Sequence, residues 1–301
     1  MRIAFVGDVH GCVYHCLAAL VRLHRDKPLD AVIQVGDLGA WPDRDRMFEL
    51  DPASAWFAED NPAQLDWFDL LDPATELAPA IRAAREELGR PILFIRGNHD
   101  DAHWLRGLEL DGLAAPADPF DVFHFVPDAS VLQVGELRIG FLGGIECDPT
   151  WPDAVRRAIG MHAFDAAAVT RMHAHETGNV DVLVTHDGPY GVASNWRGIV
   201  QGAPTLTALE KRQRPRWHVA GHYHHLIGPE TRGAGSYLGL CCLVHPLRSK
   251  WGGGDAFDPS GIVQPSSIGV LDTDTERFEF PTDSQVRHID RSLDFRHFMN
   301  E

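Results

Sequence analysis

The sequence predicts an α/β fold on three observations. Short apolar runs rich in Val, Ile and Phe recur along the chain, and each stops at a polar turn. Helical patterns separate several of these runs. Later apolar stretches come as near-continuous pairs, which read as hairpins and so as a second or mixed sheet in the C-terminal half.

The elements follow in chain order. "RIAFVG" (2–7) has the continuous apolar pattern of a buried strand and ends at Gly7-Asp8. "CVYHCLAALVRLHRD" (12–26) carries its apolar residues at helical spacing. "AVIQVG" (31–36) is the next strand and ends at Gly36-Asp37. Residues 40–78 break the rhythm. Here Asp51-Pro52, Asn61-Pro62 and Asp72-Pro73 recur, and Asp or Asn followed by Pro marks a helix start. They predict an insertion of three short helical pieces carrying Trp41, Trp56, Phe57, Trp67 and Phe68. "ELAPAIRAAREELG" (76–89) is helical, and "PILFIRG" (91–97) is a strand ending at Gly97-Asn98. "SVLQVGELRIGFLGG" (130–144) reads as a hairpin. Two further strands are "VDVLVT" (180–185), before His186, and "RWHVAG" (216–221), before His222. "GSYLGLCCLV" (235–244) and "IGVLDTDTERFEF" (268–280) read as further hairpins, and "KWGGGDAFDPSG" (250–261) as an exposed loop. No linker or low-complexity tract interrupts the chain, so a single domain over 1–301 is expected, with the insertion at about 40–78.

Bulk composition excludes several classes. The 301 residues are 44% apolar and 23% charged, as in ordinary globular domains. No apolar run approaches the roughly 20 residues of a membrane span. "MRIAFVGDVHG" turns polar too soon for a secretory signal, so a cytoplasmic protein without a membrane partner is expected. A net charge of −16 lacks the footprint of a sequence-independent duplex binder, although a local positive site can still hold a nucleotide. The five cysteines show no C-x-x-C spacing, which indicates neither a disulfide framework nor a thiolate zinc site. Cys241 and Cys242 read as small buried residues, and Cys12 as a packing residue at a helix start. The unusual count is seventeen histidines, many of them in loops.

The strand ends deliver metal-ligand types. "FIRGNHDD" (94–101), read alone, is a turn, with Asp100 or Asp101 as the N-cap of "AHWLRGL". The other strand ends change that reading. Loops at the carboxyl ends of parallel strands form one crevice. If these strands run parallel, Asp8, His10, Asp37, Asn98, His186, His222 and His224 converge. Asp8 and His10 are two apart, as are His222 and His224, so each pair projects to one side of an extended chain. Two octahedral or five-coordinate ions need about that many protein atoms plus water.

The blocks "GDVHG", "VGDLG", "RGNHD", "VTHDGP" and "AGHYHH", in this order, resemble the calcineurin-like metallophosphoesterase superfamily. The resemblance spans residues 8–224. It implies a four-layer αββα sandwich with two mixed central sheets and a dimetal site at one sheet edge. It also implies that Asp8, His10, Asp37 and His224 hold one metal, and that Asp37 bridges to a second held by Asn98, His186 and His222. His99 is then the general acid facing the substrate, and Asp100 either orients His99 or caps the next helix. The implied reaction is phosphoester hydrolysis, phosphodiesters foremost, by metal-activated hydroxide. Alternatives are a phosphomonoesterase, nuclease-type processing of RNA or DNA ends, and a catalytically silent interaction module. The implied cofactors are two divalent or mixed-valence ions (Mn, Fe, Zn, Co or Ni), with Mn favoured. Their charge lets an acidic chain hold a phosphoester small molecule, a nucleotide or a short nucleic acid.

Within the superfamily, "GDLGAWPD" lacks the Asp-Arg-Gly of the protein phosphatases. "THDGPYG" looks more like the small-molecule and nucleic-acid phosphodiesterases, including the RNA lariat debranching group. That group often lacks the first-block aspartate, which this chain keeps as Asp8. The insertion is expected to wall the site, with Trp41 stacking on substrate and Trp151 and Trp196 as further candidates. Arg96 either meets substrate phosphate or faces solvent. Asp187 reads as a turn former, and "EKRQRPRW" (210–217) as a solvated helix end.

Overall fold

A computed structural model describes residues 1–108, 114–147, 150–194, 199–247 and 257–301. In the strand Arg2–Val6, Ile3 and Phe5 point one way and Ala4 and Val6 the other, and all four are fully buried. A strand covered on both faces has no polar side, which is why it reads as a continuous apolar run. Ile3 and Phe5 pack with Ile33, Phe141, Val184 and Val219 in a core between two sheets. Ala4 and Val6 share a second core with Leu17, Leu20 and Ile81 of helices Val13–Asp26 and Ala78–Leu88. On the far sheet, Leu183 turns away from Val182 and Val184. It meets Met172, Leu206 and Leu209 of helices Ala166–Ala174 and Pro204–Gln213. The layers are therefore helix, sheet, sheet, helix, the αββα sandwich implied by the resemblance.

The first sheet runs in the order Arg277–Glu279, Ile268–Asp272, Arg2–Val6, Ala31–Gln34, Ile92–Phe94, Phe123–Phe125, Ala115–Pro116. Arg2–Val6, Ala31–Gln34 and Ile92–Phe94 are neighbours and parallel. The second sheet runs Ile227–Arg232, Gly235–Gly239, Trp217–Ala220, Val182–Thr185, Leu137–Leu142, Val131–Val134. Its strands Val182–Thr185 and Trp217–Ala220 are also adjacent and parallel. Both sheets are mixed, because antiparallel strands close their edges.

Two hairpin expectations need correction. The last hairpin does not build a C-terminal sheet. Ile268–Asp272 lies antiparallel to Arg2–Val6 and extends the first sheet. Gly235–Gly239 pairs with the preceding Ile227–Arg232, so the "CCLV" that follows leaves the sheet.

Within 40–78, Asp51 caps helix Pro52–Asp60, and Pro62–Leu65 is a single 3-10 turn. Asp72-Pro73 starts no helix, since Asp72 instead closes a turn on Ala74 N–H. The sequence reading missed the helix Arg44–Leu50, capped by Asp43. Trp67 does not form a private core for the insertion. It is fully buried against Trp104 and Phe123 and anchors the segment to the main body. Among the described residues, no helix is long and apolar enough to cross a membrane.

Candidate metal centre

The five parallel strands end on the same side, and their loops meet across the gap between the sheets. His224 Nε2 lies 3.0 Å from Asp8 Oδ2 and 3.0 Å from His10 Nε2. His186 Nε2 lies 3.3 Å from Asp37 Oδ2 and 3.1 Å from Asn98 Oδ1. The His222 ring is 5.1 Å from that of His186, and its backbone N–H donates to both oxygens of Asp8. All seven residues named from the sequence are thus brought together. Asp8, Asp37 and His186 are fully buried or nearly so, while His224 is 40% exposed and opens the cluster to solvent.

The cluster fits metal ions. Asp37 Oδ2 is buried and accepts no aligned hydrogen bond; with the His186 imidazole 3.3 Å away as its counter-charge in the metal-free chain, it is placed to meet a cation. Two ligand atoms about 2.1 Å from one ion and at right angles to it stand about 3 Å apart. That is the spacing of His10 from His224 and of His186 from Asn98. Burial pushes the Asp8 and Asp37 carboxyls up, but the surrounding imidazoles, His224 and His186 foremost, outweigh it and hold both low. Burial would lower His186, yet Asp37 brings it up to about 10. Burial and then the charge of His224 push His10 down to about 4. Protons on imidazoles thus balance the carboxylates, and cations entering the site replace them.

The backbone departs from the expected extended geometry. His10, Asp37, His222 and His224 have φ of 47°, 56°, 71° and 57°, all left-handed. Each such non-glycine residue costs on the order of 1 kcal/mol, and such strain collects at functional sites. The ligand pairs meet because the loops curl, not because a strand continues. Two glycines make room: a Cβ on Gly97 would come 2.1 Å from Asp37 Oδ1, and one on Gly221 2.1 Å from Asp8 Oδ1.

His99 stands beside the cluster, its ring edge-on to His10 at 5.2 Å. Its N–H donates to Asp37 Oδ1 at 2.6 Å, and its carbonyl accepts from Trp41 Nε1 at 2.9 Å. Its Nδ1 lies 2.6 Å from Asp51 Oδ2. Burial alone would lower His99, but Asp37 and Asp51 raise it to about 9.

Three expectations for single residues are corrected. Asp100 neither orients His99 nor caps a helix. It accepts four backbone N–H groups, from Asp37, Gly39, Ala40 and Gly97, and is fully buried. The cap of helix Ala102–Gly107 is Asp101. Trp41 is fully buried and cannot stack on substrate; its indole N–H pins His99 instead. Arg96 meets neither phosphate nor solvent, because it is buried against Asp128 and the carbonyls of His162 and Ala163. Asp187 is a loop former as expected, accepting from Gly188 N–H, Glu146 N–H and Tyr223 O–H. Trp151 is exposed, and Trp196 and residues 250–256 lie outside the described residues. The sequence reading missed Asp51, the partner of His99. Its only local signal, Asp before Pro, marks a helix cap, and it serves that purpose too.

A family model for calcineurin-like phosphoesterases matches residues 1–226. The chain belongs to the calcineurin-like phosphoesterase family. Within curated proteins, it is 36% identical to a UPF0046 protein of Caenorhabditis elegans over 86 residues, 27% of this chain and 28% of that protein. It is 25% identical to the lariat debranching enzyme of Arabidopsis thaliana over 205 residues, covering 64% of this chain and 43% of the enzyme. For the lariat debranching enzyme of Saccharomyces cerevisiae the identity is 24% over 259 residues, covering 74% and 57%. The chain therefore spans between about a quarter and three fifths of the length of these relatives. A solved structure from Thermus thermophilus aligns over 93% of this chain and 98% of its own, at 14% identity and a TM-score of 0.45.

Proposed function

We propose that this member of the family is a dimetal phosphoester hydrolase acting foremost on phosphodiesters. One observation carries the reading: seven oxygen- and nitrogen-bearing residues from five strand ends gather in one cluster, and one of them, Asp37, keeps a buried carboxylate oxygen with no aligned hydrogen bond. Asp8, His10, Asp37 and His224 would hold one ion, and Asp37, Asn98, His186 and His222 the other. The donor set contains no sulfur and suits Mn, Fe, Zn, Co or Ni, with Mn favoured. When bound, such ions activate water and neutralise phosphoryl charge.

The chain's own residues supply the rest. Asp51 occupies His99 Nδ1, so Nε2 is the atom that carries a proton to the leaving oxygen. In the metal-free chain Asp37 and Asp51 raise His99 to about 9, and Asp51, which is not among the proposed ligands, is the carboxylate left to favour a proton on the ring once ions are bound. The His99 backbone is fixed at both ends, by Asp37 and by Trp41, which keeps the ring aimed without cost at the moment of reaction. The loop after Asp37 lacks the Asp-Arg-Gly of the protein phosphatases, which counts against that activity, and the choice of diesters is supported by "THDGPYG", which resembles the block of the phosphodiesterases.

The test is a substrate panel with metal-stripped protein and added Mn²⁺: monoester, linear diester, cyclic nucleotide and oligonucleotide. Metal-dependent turnover with the diester preferred is the expected result. No turnover on any substrate would support the silent interaction module. A second reading, cleavage of a branched or terminal phosphodiester in RNA, is favoured by the similarity to lariat debranching enzymes. It requires metal-dependent cleavage of the oligonucleotide together with a salt-sensitive affinity, against a net charge of −16.

A further inference from the structure

Behind the metal centre the chain leaves the sheet at Gly239 and runs through "LCCLVH". No C-x-x-C spacing announces a thiolate site, yet the fold turns two adjacent cysteines toward one histidine. Cys241 Sγ lies 3.7 Å from His245 Nε2, and Cys242 Sγ lies 3.4 Å from His245 Nδ1. With one ligand atom taken from each of the three residues, all the atoms fall within 4.8 Å of one another. Zinc–sulfur bonds of about 2.3 Å and zinc–nitrogen bonds of about 2.0–2.1 Å in a tetrahedron place sulfur and nitrogen roughly 3.5 Å apart. The two measured separations bracket that value. Both cysteines are buried, while His245 is partly exposed and gives an ion a way in.

We infer that Cys241, Cys242 and His245 form a third metal site, for a thiophilic cation of the zinc(II) type. Its donors differ in kind from those of the dimetal centre. Two thiolates and an imidazole select soft or borderline ions, whereas the centre offers only carboxylate, amide and imidazole. The two sulfurs face different ring nitrogens, so binding requires the imidazole to turn until one nitrogen serves both. Three protein ligands leave a fourth position for water, and the His224 carbonyl, 3.0 Å from Cys241 Sγ, borders it. The site also touches the backbone of the dimetal centre. In the metal-free chain the Cys241 thiol donates to the His224 carbonyl, a bond its thiolate gives up on binding an ion, and Leu243 N–H donates to the Asp8 carbonyl at 2.7 Å. A filled third site would fix the 241–245 segment whose Leu243 N–H holds the Asp8 carbonyl, whichever phosphoester is the substrate.

The test uses Co²⁺ as a spectroscopic stand-in for zinc. Protein already loaded with Mn²⁺ is titrated with Co²⁺, and thiolate-to-cobalt charge-transfer absorption is followed in the near ultraviolet. The dimetal centre has no sulfur and cannot produce that band. Expected are a saturable band in the native chain, its bleaching by one equivalent of Zn²⁺, and its loss in the Cys241→Ser/Cys242→Ser double variant. Should the double variant fail to fold, His245→Asn serves. Losing one ligand raises the Co²⁺ concentration needed for half-saturation by at least about tenfold. Absence of the band in the native chain overturns the inference. So does a band that survives the double substitution, or one whose titration is unchanged in His245→Asn. A Cys241–Cys242 disulfide that excludes Co²⁺ from freshly purified protein also overturns it.

Discussion

Replacing Asp100 with Asn tests whether this carboxylate is the clamp between the two loops that carry Asp37 and Asn98. One oxygen accepts from Asp37 N–H at 2.9 Å and Gly97 N–H at 2.7 Å, the other from Gly39 and Ala40 N–H, both at 2.8 Å. An amide has a single oxygen. Whichever way the substituted side chain turned, its NH₂ would face two N–H donors and leave both unmet in a fully buried place. Each buried donor left without a partner costs about 1–3 kcal/mol, so Asp100→Asn should lose about 4 kcal/mol. That is a large share of the roughly 5–15 kcal/mol that holds a domain folded. Burial and then the charge of Asp37 push the Asp100 carboxyl up to about 6, so the comparison belongs well above that pH, where the native group is ionised. Urea unfolding of the metal-free chains, followed by circular dichroism, gives the difference. Mn²⁺ affinity should fall in parallel, because the clamped loops carry Asp37 and Asn98. A loss below about 1 kcal/mol with unchanged Mn²⁺ affinity would show that the loops hold their shape without the clamp, and would refute the reasoning.

The other predictions follow from the same contacts. His99→Gln should lower turnover about 10²–10⁴-fold while the metal content, read by elemental analysis, stays unchanged. Asp51→Asn removes a charge that favours the proton on His99, so the alkaline limb of the pH–rate profile should move to lower pH. Arg96→Met leaves the largely buried Asp128 carboxylate without its cation and the His162 and Ala163 carbonyls without their donor, and should cost about 2–4 kcal/mol in urea unfolding. Burial and then Asp69 push the Asp66 carboxyl up to about 8. Its folded value lies above the unfolded one, so the native state binds the proton more tightly, and stability falls as pH rises from about 4 to about 8. Asp66→Asn should flatten that slope. Allowing for the water that reaches this partly exposed group, it should be about 2–3 kcal/mol more stable than the native chain near pH 8.

The strands were legible because burial on both faces writes an unbroken apolar run, and Arg2–Val6 and Val182–Thr185 are buried on both. The seven converging residues were legible because each lies within four residues of the end of such a run, and the order of the five blocks matched a known family; parallel strands bring the loops together, and the left-handed turns aim the side chains. What escaped the sequence depends on contacts between distant segments. Asp51 reaches His99 across 48 positions, and nothing at either end marks the partner. Asp100 looked like a helix cap because an Asp near a helix start usually is one. Its neighbour Asp101 takes that role, which frees Asp100 for the four N–H groups. Trp41 sits in a loop beside the site, and sequence cannot tell an exposed loop tryptophan from one folded inward. Cys241, Cys242 and His245 form no spacing motif, because a turn rather than a periodic element brings them together.

The left-handed residues show what the loops are built to do. Four of the seven converging side chains sit at positive φ, which Asp and His tolerate better than most residues but glycine adopts at less cost. A stability-driven sequence would place glycine at such positions, but glycine has no side chain to aim. The cost falls on residues from both sheets: His10 and Asp37 from the first, His222 and His224 from the second. It is offset where the loops meet, since the Asp8 carboxylate accepts the His222 N–H and the Asp37 carboxylate accepts the His99 N–H. On the proposed assignment each ion is also ligated from both sheets, through Asp8 and His224 at one and Asp37 and His186 at the other. The ions would then join the two halves of the sandwich as well as serve the reaction. Strain in the loops, the Asp37 oxygen without an aligned hydrogen bond and the crowded imidazoles are then three aspects of one arrangement that cations would complete.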